Sequence, residues 1–371
     1  MRTIGTVVRG VRAPIIREGD NIAEVAAASV MEAWKEAGIE PRDRDVVAVT
    51  ESVVARAQGN YATLDQIAKD VREKTGGGTV GVAFPILSRN RFSLLLRGMA
   101  MGCKKIVLLL SYPSDEVGNG LVDWDKLDEA GVDYIDFYSG IITDAGAEVE
   151  VIFGNRVQTL CDYTDAVITC DIHTRARSKR LLKAAGARVV LGLDDLLNRS
   201  VDGSGYNAEY GLLGSNKATE ETVKLFPRDC MAVAEELGER LSKASGKHIE
   251  AMVYGDGAFK DPVGKIWELA DPVVSPGYTK GLVGTPNELK LKYLADNDFG
   301  DLKGEALKEA IEERIREKTS ESLVGNMVSE GTTPRRLTDL IGSLCDLTSG
   351  SGDKGTPIVY IQGYFDNYSN D

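Results

Sequence analysis

The sequence predicts a mixed α/β (α+β) fold in two parts: a body made of residues 1–78 and 199–371, and a smaller α/β module, 79–198, inserted into it. Three observations point there. The 371 residues exceed what one ordinary core holds. Near residue 79 the texture changes, and short apolar runs begin to alternate with helical stretches. Near 199 it changes back, where a glycine-rich loop opens a region of longer helices.

Taken in order, GTVVRGV (5–11) alternates and reads as the first strand. NIAEVAAASVMEAWKEAG (21–38) carries apolar residues at helical spacing, with Asp20 or Asn21 as cap and Gly38 as stop. DVVAVTESVVARAQG (45–59) reads as a buried strand that breaks at Gly59. A short helix covers 61–74 and ends at Gly76-Gly77-Gly78. In the module, TVGVAF, KKIVLLLSY, AEVEVIF, DAVITC and ARVVLGL are apolar runs, with helices over 91–101 and 174–185; this alternation predicts parallel strands with crossover helices. VDGSGYNAEYGLLGSNKATEE (201–221) reads as loop, and a long helix over 228–245 follows. A strand then runs into Gly255-Asp256-Gly257. After a glycine- and proline-rich stretch (271–287) come helices over 302–318 and 334–347 and the closing SGSGDKGTPIVYIQGYF (349–365). The charge run EALKEAIEERIREK is a solvated helix face.

Composition excludes several function classes. A net charge of −13 argues against binding to a nucleic-acid backbone, which needs a surplus of Lys and Arg. No apolar run approaches the roughly 18 residues of a membrane span. The start has no apolar signal core. Five cysteines without a C-x-x-C pair read as reduced thiols, and the expected location is cytoplasmic. Two histidines, His173 and His248, make a histidine-built zinc site a poor expectation.

Four stretches carry candidate chemistry. Asp256 stands at a strand end between glycines, which allow a sharp turn and close approach of a ligand; a structural turn aspartate is the alternative. Asp202 and Asn207 share a loop with Gly203 and Gly205 and can hold Mg²⁺ and phosphate or simply form a polar loop. Arg17 precedes the first helix, where a cation can meet a phosphate. GSGDKGT (350–356) superficially resembles a Walker A loop, but Lys354 precedes Gly355, and Pro357 and a strand follow where a P-loop needs a helix. A glycine-rich anion nest is the remaining functional reading.

In this order the segments resemble the coenzyme F420-0:γ-glutamyl ligase family. PIIREGDNIAE is similar to its P-L-I-x-x-G-D-(D/N)-(L/I)-A opening, and DVVAVTESVVARAQG to its strand D-V-(V/I)-V-V-x-x-(S/T)-V-V-(S/A)-K-A-E-G. VDGSGYN resembles V-D-x-S-N with two additional residues, and VYGDGAF falls where the family has I-S-D-(T/S)-F-G. The stretch TDLIGSLCDLTSGSGDKGTPIVYIQGY resembles the family's last helix, glycine loop and strand. These motifs cover roughly 1–75 and 200–370, leaving an enlarged middle.

The resemblance implies a GTP- or ATP-dependent acid–amino-acid ligase, dimeric, using Mg²⁺ or Mn²⁺ to join L-glutamate to a small acidic acceptor through an acyl phosphate. It implies Asp202, Asp256, Gly257 and Ser351 at the metals. It assigns the nucleotide to Pro14, Ile15, Ile16, Arg17, Glu51, Ser52, Arg56, Asn207, Ser349, Gly350, Ser351, Gly352 and Asp353. Asp202, Asp256, Arg56 and Lys260 are the expected catalytic residues. Arg56 stands for the usual Lys, Gly257 for Thr, and Ser351 for a Glu or Gln. Two alternatives keep the fold: a metal-dependent phosphohydrolase and a non-catalytic nucleotide-binding protein.

Overall fold

The computed structural model describes residues 3–85, 91–111, 133–255, 258–260, 267–269, 271–318 and 335–369. The elements run β1 (Val7–Val11), α1 (Ile22–Ala37), β2 (Val46–Thr50), α2 (Glu51–Ala57), β3 (Tyr61–Thr63), α3 (Leu64–Thr75), β4 (Thr79–Ala83), α4 (Phe92–Met101) and β5 (Lys105–Leu110). Next come α5 (Tyr134–Asp144), β6 (Glu148–Phe153), β7 (Ala166–Thr169), α6 (Arg175–Ala184), β8 (Val189–Gly192), β9 (Asn216–Lys217), β10 (Thr222–Lys224), α7 (Cys230–Ser245) and β11 (Glu250–Tyr254). The chain continues through β12 (Ala258–Lys260), β13 (Trp267–Leu269), β14 (Gly277–Tyr278), α8 (Leu291–Tyr293), α9 (Glu305–Arg316), α10 (Leu337–Thr348) and β15 (Ile358–Gln362).

The body is built on a five-stranded mixed sheet, order β1-β15-β2-β11-β14, in which only β2 and β11 are parallel. Strand alternation splits its side chains between two cores. Val47, Val49, Ala251, Val253, Ile358 and Tyr360 face α1 and α7, whereas Val46, Ala48, Met252, Tyr254, Val359 and Ile361 face α10. Both faces are covered, so β2, β11 and β15 are buried throughout. Asn21 caps α1 by accepting from the Glu24 amide, and Gly38 closes it at φ 60°.

The second five-stranded sheet is wholly parallel, order β6-β5-β4-β7-β8. Counted along the chain that is 3-2-1-4-5, a doubly wound arrangement with its switch point between β4 and β7. All five apolar runs of the middle region are its strands. Its core extends past residues 79 and 198: Leu64, Ile67 and Val71 of α3 and Leu212, Leu213, Val223 and Leu225 pack with Val80, Val82, Leu96, Ile106 and Leu108.

One segment departs from the sequence reading. Residues 51–57 form helix α2 rather than continuing the strand of 46–50. The β-branched Val53 and Val54 suggest strand, but both are buried against the α1 side of the body, and tertiary packing overrides that preference. The 61–74 helix begins three residues late, because 61–63 pair with β10; Thr63 and Gln66 then form a capping box.

Candidate functional site

Two adjoining cavities of about 580 and 250 Å³ share Ser52, Asn216, Lys224 and Ser351 as walls and form one cleft. Segments distant in sequence build it. The chain leaving β1 brings Pro14, Ile15 and Ile16, and the start of α2 brings Ser52, Val53 and Arg56. Arg56 Nε donates to the Ile16 carbonyl, fixing these two walls to each other. The glycine loop before β15 closes the third side. It is pinned by a bridge between Gly350 and Thr356, by the Ala13 amide donating to the Gly355 carbonyl at 3.1 Å, and by the Thr50 amide donating to the Pro357 carbonyl at 3.0 Å. Gly355 holds φ at 63°, a backbone state that side-chain-bearing residues rarely adopt.

A three-stranded sheet, β3-β10-β9, makes the fourth wall. Its register sets Tyr61, Lys224 and Asn216 in one cross-strand row, and all three line the larger cavity. Lys217 and Arg91, the latter preceding α4, complete a set of four cations with Arg56 and Lys224. Opposing them, among the described residues of the walls, are two carboxylates, Glu51 and Asp346, both in the smaller cavity.

The sequence-assigned residues divide accordingly. Pro14, Ile15, Ile16, Arg56 and Gly352 line the larger cavity, Glu51, Ser349 and Gly350 the smaller, and Ser52 and Ser351 both. Arg17 and Asp353 adjoin wall residues but are not walls. The Arg17 amide instead donates to Asp20 Oδ2 at 2.6 Å. Asp256 and Gly257 lie outside the described residues, and for Lys260 the description is limited to its place in β12.

Two assigned residues are not brought to the cleft. The Asp202 carboxylate accepts from Lys69 Nζ at 2.6 and 2.7 Å on the surface, and this pairing raises the Lys69 pKa. Asn207 is buried, and its side chain is used up in the loop. It donates to the Phe226 and Pro227 carbonyls and accepts from the Glu209 and Tyr210 amides. Neither is a wall of either cavity. An adjacent Ser-Asn pair, Ser215-Asn216, lies beyond Ser204 and Asn207 in the same stretch. Setting that pair on the S-N of V-D-x-S-N brings Asn216 to the cleft and puts Leu213, buried in the module's core, at the aspartate position. Lys224, Lys217 and Arg91 had no motif to mark them.

The donor set bears on a metal. Mg²⁺ is commonly held by one or two carboxylates together with substrate phosphates. Glu51 and Asp346, with the hydroxyls of Thr50, Ser52, Ser349 and Ser351 beside them, fit an ion that arrives with a polyphosphate. Among the described residues there is no group of three or more His, Cys, Asp or Glu able to hold a metal by themselves.

Among the described residues, no helix is long and apolar enough to cross a membrane. No protein of curated function matches the chain. Two solved structures give a weak likeness. One is the tetrameric eIF2B-beta2-delta2 complex from C. thermophilum, at 13% identity over 35% of this chain and 42% of that one, TM-score 0.24. The other is eIF2B beta from Chaetomium thermophilum, at 14% identity over 47% and 50%, TM-score 0.25. The chain thus spans half or less of each, and at these scores neither likeness bears on fold or function. The model of the F420-0:gamma-glutamyl ligase family, by contrast, matches residues 10–363, running through the middle region that the motifs leave uncovered. With the opening, the β2–α2 segment and the final glycine loop meeting at one cleft, the chain belongs to the F420-0:gamma-glutamyl ligase family.

Proposed function

We propose that the protein is a nucleotide-driven ligase that joins L-glutamate, or a similar amino acid, to a small acidic acceptor, and that the cleft holds the nucleotide. One observation carries this reading: four cations, of which Lys217 is also paired with Glu220, and the glycine loop converge on a cleft of nucleotide size, in a chain whose formal charge is −13. A local excess of positive charge in an acidic protein suits a bound polyanion. The amide bond is uphill in water, and phosphorylating the acceptor carboxylate gives an acyl phosphate that the glutamate amine can attack. Phosphoryl transfer depends on positioning and charge neutralisation. Arg56 and Lys224 supply fixed positive charge, the glycine loop supplies amides, and Pro14, Ile15 and Ile16 supply an apolar surface. Glu51 and Asp346 would hold Mg²⁺ or Mn²⁺, which adds Lewis-acid neutralisation of phosphate charge. Asp256 is the further carboxylate that the family motif assigns to the metal. Ile15, at the cleft and 81% exposed, is surface that a second copy would cover in the dimer.

The test is nucleotide turnover with GTP or ATP and Mg²⁺ or Mn²⁺. Phosphate release that needs both L-glutamate and an acidic acceptor supports the ligase. Release that ignores the amine turns the reading to a phosphohydrolase. Binding without turnover, which the shortage of carboxylates among the described walls favours, makes the protein a nucleotide-binding member of the fold.

A further inference from the structure

We infer that Lys224 is the fixed cation of this cleft: its ammonium binds the polyphosphate directly, so polyphosphate binding persists without a divalent metal. The inference rests on the nucleotide reading above and adds a residue and a property to it.

Lys224 is 9% exposed, yet it walls both cavities at their junction. An ammonium has three N–H donors. One goes to Ser52 Oγ at 2.7 Å, and a second reaches Glu51 Oε1 at 3.4 Å, beyond the usual length of a charge-assisted bond. The third has no acceptor among the described residues. A buried charge this loosely paired is costly unless something else completes its shell. A phosphate oxygen in the junction would do so, and would exchange a long contact for a short charge-assisted one. The strand register supports the assignment. Lys224 sits between Tyr61 and Asn216 in the wall row, so its position is set by backbone pairing rather than by Glu51.

The experiment is calorimetric titration in EDTA with GTP, ATP and inorganic tripolyphosphate, on the wild type and on Lys224→Met, Lys224→Arg and Glu51→Gln. The wild type is expected to bind polyphosphate without metal. Lys224→Met should weaken it by about tenfold to a hundredfold, and Lys224→Arg should retain most of it. Glu51→Gln should tighten it, because the ammonium loses its competing carboxylate. Equal affinities in the wild type and Lys224→Met overturn the inference, as does a wild type that takes up tripolyphosphate only with metal. If Lys224→Met does not fold, Glu51→Gln decides: unchanged or weaker metal-free binding counts against Lys224. A wild type that binds tripolyphosphate but neither GTP nor ATP keeps Lys224 and removes the nucleotide reading. GTP or ATP bound only with Mg²⁺ does the reverse.

Discussion

Two lysine–carboxylate pairs in this protein have opposite characters. Lys69 and Asp202 touch at 2.6 Å with side chains 44% and 59% exposed. Lys224 and Glu51 stand 3.4 Å apart with side chains 11% and 4% exposed. By distance alone the first is the stronger contact. Water and salt screen it, and such exposed pairs contribute little. The second is loose, but the desolvation of both charges makes each depend on the other. Burial decides which pair carries consequences, and it is the buried one that walls the cleft.

The largest effect that sharpens this contrast is expected at Glu51. Glu51→Ala leaves the buried Lys224 ammonium with Ser52 as its partner among the described residues, and should lower unfolding stability by about 3 kcal/mol in urea titration. A loss below about 1 kcal/mol would mean that solvent reaches the pair freely. Next is Asn207→Ala, which strands the Pro227 carbonyl and the Glu209 and Tyr210 amides in a buried loop, the Phe226 carbonyl keeping Asn60 as a donor. It should cost about 2 kcal/mol and leave nucleotide affinity within about twofold once folded at low temperature. A folded variant that no longer binds nucleotide would return Asn207 to the site.

The buried thiols give a pH-dependent effect of intermediate size. Burial pushes the Cys230 thiol up to about 12, with Glu51 and Asp229 adding to the rise. The unfolded chain loses this proton near pH 9.0, so the folded state binds more protons between those values. Stability from this group is therefore complete below about pH 9 and declines as pH rises toward 12. Cys230→Ala should flatten the alkaline fall of the urea midpoint. An unchanged slope would show that the thiol is wetter than the packing implies. The smallest effect belongs to the exposed pair: Asp202→Asn should leave both the midpoint and the metal-dependent nucleotide affinity at wild-type values. Loss of metal-dependent binding would sink the present placement of Asp202.

Much of the fold was legible because period-2 and 3.6 patterns are local. The five runs of the parallel sheet, α1 with its Asn21 and Gly38 caps, and α3 with its glycine stop all follow from spacing. Helix α2 was not, because Val53 and Val54 owe their helical state to packing against α1. The near and far edges of the cleft, Pro14–Ile16 and Ser349–Gly352, came from contiguous motifs. Lys224 and Asn216 did not, because a cross-strand row unites residues that no sequence window contains. Asp202 pairs with Lys69 at the surface, a contact that no sequence window contains either, whereas Asn216, further along the same stretch, lines the cleft.

The hairpin that joins β9 to β10 turns over four residues, 218–221, with the Ala218 and Thr219 amides both donating to the Thr222 carbonyl. Side chains on a strand alternate faces and β3 also holds Lys224 in register, so removing one residue from that turn would rotate Asn216 out of the row and bring a neighbour in its place. Turn length thus acts as a dial on the electrostatic character of the binding surface. A relative with a shorter or longer turn here could keep every strand and helix and still present a differently charged wall to its ligand.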